Sequence, residues 1–109
     1  MIEDADIEKA VDYLRDNATR AAKAKAERMY MEEFRKVVKS KIMREHDDQP
    51  VGKQEAIAYA DSRYTQHLKA MREAIEADEY HRWMLTAAEA KISAWQTMSR
   101  SNRALEKVR

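Results

Sequence analysis

Apolar residues recur every three or four positions along most of this chain, and that spacing predicts helices from end to end. Ile7, Val11, Leu14, Ala18 and Ala21 fall on one face of a helix starting near Asp4. Beyond the alanine-rich stretch "ATRAAKAKAE" the stripe resumes as Met31, Phe34, Val38 and Ile42. The two stripes differ in phase by part of a heptad, which predicts a stutter or a straight bundle helix rather than a uniform coiled coil. The segment "EHDDQPVG" ends this helix, because Pro50 disfavours helical geometry at Gln49 and Gly52 tolerates almost any backbone conformation. In "KQEAIAYA" two helical turns follow, with Gly52 and Glu55 as a weak N-cap arrangement. Asp61 or Ser62 is placed to cap a second long helix. Its stripe is Tyr64, Leu68, Met71 and Ile75, then Leu85, Ala88, Ile92 and Trp95, with His81 and Met84 on the shoulder.

The expected organisation is therefore one all-α domain over residues 1–109. A helix covers about 4–46, a break 47–52, a short connecting helix 53–60 and a second long helix about 61–106. Long helices of similar length with a short connection favour an antiparallel hairpin.

Composition supports this reading. The 109 residues include one glycine and one proline, and 38% are charged with a net charge of only +1, which is the make-up of long helices rather than of a disordered chain. Charge distribution adds a topological preference. Residues 1–14 carry five acids and one base, and residues 91–109 five bases and one acid; residues 15–45 are net basic and 71–90 net acidic. An antiparallel hairpin sets opposite signs side by side, whereas a parallel one sets basic 91–109 beside basic 15–45.

The apolar stripes are wider than one partner helix covers, since Met29 and Tyr30 flank the first and His81, Met84 and Met98 the second. Self-association follows as an expectation: a homodimer completing a four-helix bundle. The residues expected to make that contact, or one with another protein, are Met71, Ile75, His81, Trp83, Met84, Ile92 and Trp95. Trp83 and Trp95 are about 120° apart around the helix, so one is expected in the hairpin seam and the other in the dimer seam or exposed.

Little in the chain points to catalysis. It has no cysteine, and a single glycine rules out a glycine-rich phosphate loop and a serine nucleophile elbow. "DEYH" sets Asp78 and His81 three apart on one face, half of a di-iron bundle motif, but the first long helix offers no histidine before His46. "EHDD" lacks the alternating ligands of a calcium loop and reads as a solvated helix end. No enzymatic activity, metal or cofactor is expected. The acidic N-terminus does not resemble a signal peptide and no apolar run approaches a membrane span, so a cytoplasmic protein with no membrane partner is expected. Nucleic acid enters through "FRKVVKSKIMR", where Arg35, Lys36, Lys39, Lys41 and Arg44 are candidates for phosphate contact.

Finally, "QPVGKQEAIAYA" with "YADSRYTQHLKAMREAIEADEYHRWMLTAAEAKISAWQTMSRSNR" resembles small helical proteins of tailed bacteriophages encoded among recombination and replication genes. The likeness rests on Tyr59, Ala60, Ser62 and Tyr64, on the run "AAEAKISAW" ending at Trp95, and on Ser101 to Arg103. It implies an accessory protein of DNA recombination or replication acting by association with another protein in the host cytoplasm. Direct nucleic-acid binding through residues 35–44 and inhibition of a host nuclease or defence complex are the alternatives.

Overall fold

The computed structural model describes residues 2–108, and all regular structure among them is α-helical: α1 (Asp4–Arg44), α2 (Val51–Ala60) and α3 (Ser62–Val108). None of these helices is long and apolar enough to cross a membrane. At the start of α1 the Asp6 carboxylate accepts the Glu3 amide N–H at 2.9 Å, while the Asp6 and Ile7 amides donate to the Glu3 carbonyl. Asp4 and Asp6 in the first turn, and Lys41 and Arg44 in the last, match the helix dipole.

α1 ends two residues earlier than the sequence pattern predicts, unwinding through successive i to i+3 bonds from Glu45, His46 and Gln49. α2 begins two residues earlier, because Pro50 serves as its N-cap. Pro50 has φ −57° and ψ 150°, and its carbonyl accepts from Lys53 and Gln54. Gly52 therefore lies inside the first turn with a negative φ, rather than opening the helix as a cap.

A single residue separates α2 from α3. The Asp61 amide closes α2 on the Ala58 carbonyl at 3.2 Å, and its carboxylate caps α3 by accepting the Arg63 amide at 2.8 Å.

Packing divides the chain into two compact units, Met1–Ala21 with Tyr80–Arg109, and Ala22–Glu79. In each, the α1 and α3 portions run antiparallel. Within the first, the Trp95 indole N–H reaches the Asp4 carboxylate at 3.2 Å, and Ala10 is buried in the unit that also buries Ala88. Within the second, His67 meets the Met31 carbonyl and Asp78 pairs with Arg28, while Ile42, Ala58 and Tyr64 form a core with Val38, Met43 and Ile57 around it.

The sheltered positions follow a seven-residue repeat more regular than the apolar stripes suggest. On α1 they are Ile7, Ala10, Leu14, Asn17, Ala21, Ala24, Arg28, Met31, Val38 and Ile42, all half-buried or buried; Phe34 shields the turn where Arg35 points outward. On α3 they are Tyr64, His67, Met71, Ala74, Asp78, His81, Leu85, Ala88, Ile92, Trp95 and Ser99. Alternating steps of three and four are the spacing of a coiled-coil seam. In α1 the repeat is interrupted once, at Arg35, where Phe34 is the sheltered residue instead. Val11, Ala18 and Leu68, members of the predicted stripes, lie exposed beside it, and Ala10, Asn17 and His67 take their places.

Candidate nucleic-acid interface

The five cations of residues 35–44 do not form one patch. Residues 35, 36 and 39 share one flank of α1, while Lys41 lies on the other and Arg44 is exposed at the helix end. α2 folds back beside the first flank and closes a cleft of about 230 Å³ lined by Arg35, Lys36, Lys39, Tyr59 and Tyr64. Lys39 donates to the Tyr59 hydroxyl at 2.9 Å and lies 3.5 Å from the Glu55 carboxylate. Its ammonium is 4.7 Å from the centre of the Tyr59 ring. The hydrogen bond to Tyr59, followed by the Glu55 charge, raises the Lys39 pKa above its ordinary value, so the amine is held charged. Tyr59 meets Tyr64 edge to face, with ring centres 5.3 Å apart.

Lys36 pairs with Glu33 at 3.3 Å in an exposed, within-helix contact. Arg35 has no ion-pair partner among the described residues. The cleft thus presents one unopposed guanidinium, one weakly opposed ammonium and one ammonium shared between the Glu55 carboxylate and Tyr59, a residue that is half exposed.

On the opposite flank a larger cleft of about 380 Å³ is lined by Phe34, Val38, Lys41, Ile42, Arg63, Gln66 and His67. Tyr30 stacks on Phe34 at 5.5 Å, and Phe34 contacts the His67 ring. Arg63 is committed here. It donates to Glu45 at 2.8 and 2.6 Å and to Asp61 at 3.0 Å through both Nε and Nη2. His67 is committed as well, since a 2.7 Å contact to the Met31 carbonyl places its proton on Nε2. The first unit has a cleft of about 230 Å³ between Lys9, Ala10, Tyr13, Met84, Ala87, Ala88 and Lys91.

The residues expected to make self or partner contacts separate into two groups. Met71, His81, Ile92 and Trp95 occupy seam positions, and Ile75 is half-buried beside them. Trp83 and Met84 face outward, Trp83 with 64% of its surface exposed.

As for metal chemistry, Asp78 is spent on Arg28, the His81 Nδ1 is buried without a partner, and Glu45 of the "EHDD" run is spent on Arg63. Among the described residues no three potential ligands gather.

The tyrosines are what sequence reasoning left out of the basic site. On one continuous helix Tyr59 and Tyr64, five apart, would point about 140° away from each other. The break at Asp61 brings them together.

No protein-family model matches the chain, and neither a curated protein nor a solved structure does so.

Proposed function

We propose that this chain is a non-enzymatic association module whose α1 and α3 are completed by a second copy into a four-helix bundle. The observation that carries this reading is the state of its large side chains. Ile42 is the only large one that is fully buried among the described residues. By contrast Val11, Met29, Tyr30, Val37, Leu68, Tyr80, Trp83 and Met84 each leave more than a third of their surface exposed.

Ordering a helical residue costs about 1–2 kcal/mol of backbone entropy, whereas a fully buried large apolar side chain contributes about 1.5–3 kcal/mol. A seam of half-buried residues interrupted by Asn17, Arg28, His67, Asp78 and His81 offsets little of that cost. A second copy supplies the missing burial. A two-fold contact also covers each exposed apolar position with the same surface of the partner.

In the setting implied by the resemblance to phage proteins, the bundle would act as an accessory of DNA recombination or replication by holding a protein partner. Sedimentation equilibrium at tens of micromolar tests the association. A dimer weakened by Trp83→Ala or Tyr30→Ala is expected, and a monomer of unchanged helicity overturns the reading. Capture from host lysate by the wild-type protein, lost in the same variants, then tests the partner.

A further inference from the structure

We propose that the cleft between α1 and α2 binds single-stranded nucleic acid, with successive backbone phosphates held by Arg35, Lys36 and Lys39 and an adjoining base laid on the exposed ring of Tyr59. This does not rest on self-association, because the cleft lies on the flank of α1 away from Tyr30 and Phe34.

Three features of the site favour this ligand over a generic anion. First, α1 carries five cations and no acid between Phe34 and Arg44, yet only Arg35, Lys36 and Lys39 converge on a concave surface. A guanidinium without a carboxylate partner is free to take a phosphate in a two-pronged contact. Second, cations and aromatic rings line the same cleft. A base needs a π-face near the phosphate-binding groups, and every base has one, so such a site binds single strands with little sequence preference. Third, the ring is preset. Tyr59 is fixed edge-on by Tyr64 and through its hydroxyl by Lys39, yet 51% of its surface is exposed. A duplex keeps its bases stacked inside and offers nothing to that ring.

The opposite cleft offers less. Its arginine is neutralised by Glu45 and Asp61, its histidine is bound to a backbone carbonyl, and its one remaining cation, Lys41, stands over Phe34, a ring partly buried where Tyr59 is exposed.

The test is a fluorescence-anisotropy titration of the full chain with labelled oligothymidine at several salt concentrations. Contact with up to three phosphates predicts a slope of log K against log salt near −2, at about −0.7 per phosphate on a single strand. Arg35→Ala with Lys36→Ala is expected to flatten the slope to about −0.7. Tyr59→Ala is expected to weaken binding about ten-fold, and Tyr59→Phe much less. Lys41→Ala with Arg44→Ala, on the other flank and at the helix end, serves as the charge-matched control and is expected to leave affinity within about two-fold. All these side chains reach the surface, and circular dichroism verifies that each variant keeps its helices.

No binding at low salt overturns the proposal. So does equal loss in the Lys41/Arg44 control, which indicates diffuse attraction. Equal affinity for a duplex, for inorganic phosphate or for polyglutamate also overturns it, since each removes the role of the stacked base or of the phosphate.

Discussion

Asp78 places its Oδ2 2.5 Å from Nε of Arg28, joining α3 to α1 inside the seam rather than across its surface. Both occupy positions that the seven-residue repeat assigns to the contact between helices, and the carboxylate side chain keeps only 13% of its surface exposed. No acceptor lies in line with the Nε–H, so the contact is an ion pair rather than a linear hydrogen bond. A seam position spent on a charge is costly, but it fixes which residues face each other.

Removing one partner strands the other. Asp78→Ala is expected to destabilise the protein by about 2 kcal/mol, below the ~3–5 kcal/mol of a fully buried pair because Arg28 retains some solvent. Replacing both with leucine is expected to raise the urea midpoint above that of the single variant and at least to the wild-type level. The double variant should also sediment as several species, since the device that selects one register has gone. A single variant with an unchanged midpoint refutes the assignment.

Ile42 and Val11 look equivalent in the hydrophobic pattern, and their substitution is expected to separate them. Ile42 is 1% exposed in the core with Ala58 and Tyr64, so Ile42→Ala should cost about 3 kcal/mol. Val11 is 47% exposed, and Val11→Ala should stay within about 0.5 kcal/mol in the monomer. Chemical denaturation of the two variants side by side makes the comparison.

Asp61 caps α3, and Asp61→Ala is expected to lower stability by about 1 kcal/mol while Asp61→Asn, which keeps an acceptor for the Arg63 amide, loses less. Urea midpoints at neutral pH rank the three proteins. Equal losses for Ala and Asn would assign the effect to charge instead of to the cap.

The same corner predicts a pH dependence. Hydrogen bonds from Arg63 hold both Glu45 and Asp61 below their ordinary values of 4.5 and 3.8, and Arg63 is shifted upward in return. A carboxylate depressed by folding contributes stability that is complete above its unfolded pKa and disappears as pH falls through its folded pKa. The contribution therefore holds at neutral pH and fades below about pH 4.5 as the two acids are protonated. All three groups are solvated, so the effect is small and screened by salt. Arg63→Met is expected to flatten this part of the stability profile between about pH 5 and 3, measured by thermal melts at low salt.

Gly52 sits in the first turn of α2 with a negative φ, and nothing beyond its neighbours and the backbone of its own helix lies within 4 Å of where a Cβ would be. Gly52→Ala is expected to raise stability by about 0.5–1 kcal/mol through the entropy of the unfolded chain. Melting temperature reads this directly, and a decrease would contradict the observed start of α2.

Helical periodicity made the two long helices, the short one and the break around Pro50 legible, because apolar spacing and a lone proline are local signals. The buried face was less legible. Leu14 belongs equally to a stripe with Val11 and Ala18 or to one with Ala10 and Asn17, and hydrophobicity favours the first. Packing selects the second, in which the small Ala10 and Ala88 are the buried residues of the unit. Arg28, His67 and Asp78 run against any hydrophobic pattern, and their places in the seam depend on partners distant in sequence. The basic stretch 35–44 was visible as charge. Its division between two flanks, and the addition of Tyr59 and Tyr64 to one of them, depends on where α2 folds back.

The corner at Asp61 leaves no slack between α2 and α3. One residue, at φ −71° and ψ 139°, sets the direction in which α2 leaves α3, and so sets where Tyr59 stands relative to Lys39. The width of the basic cleft is thereby a property of a single peptide unit. A residue inserted beside Asp61 would leave every helix intact and still swing the tyrosine off its lysine, separating the ability to fold from the ability to bind.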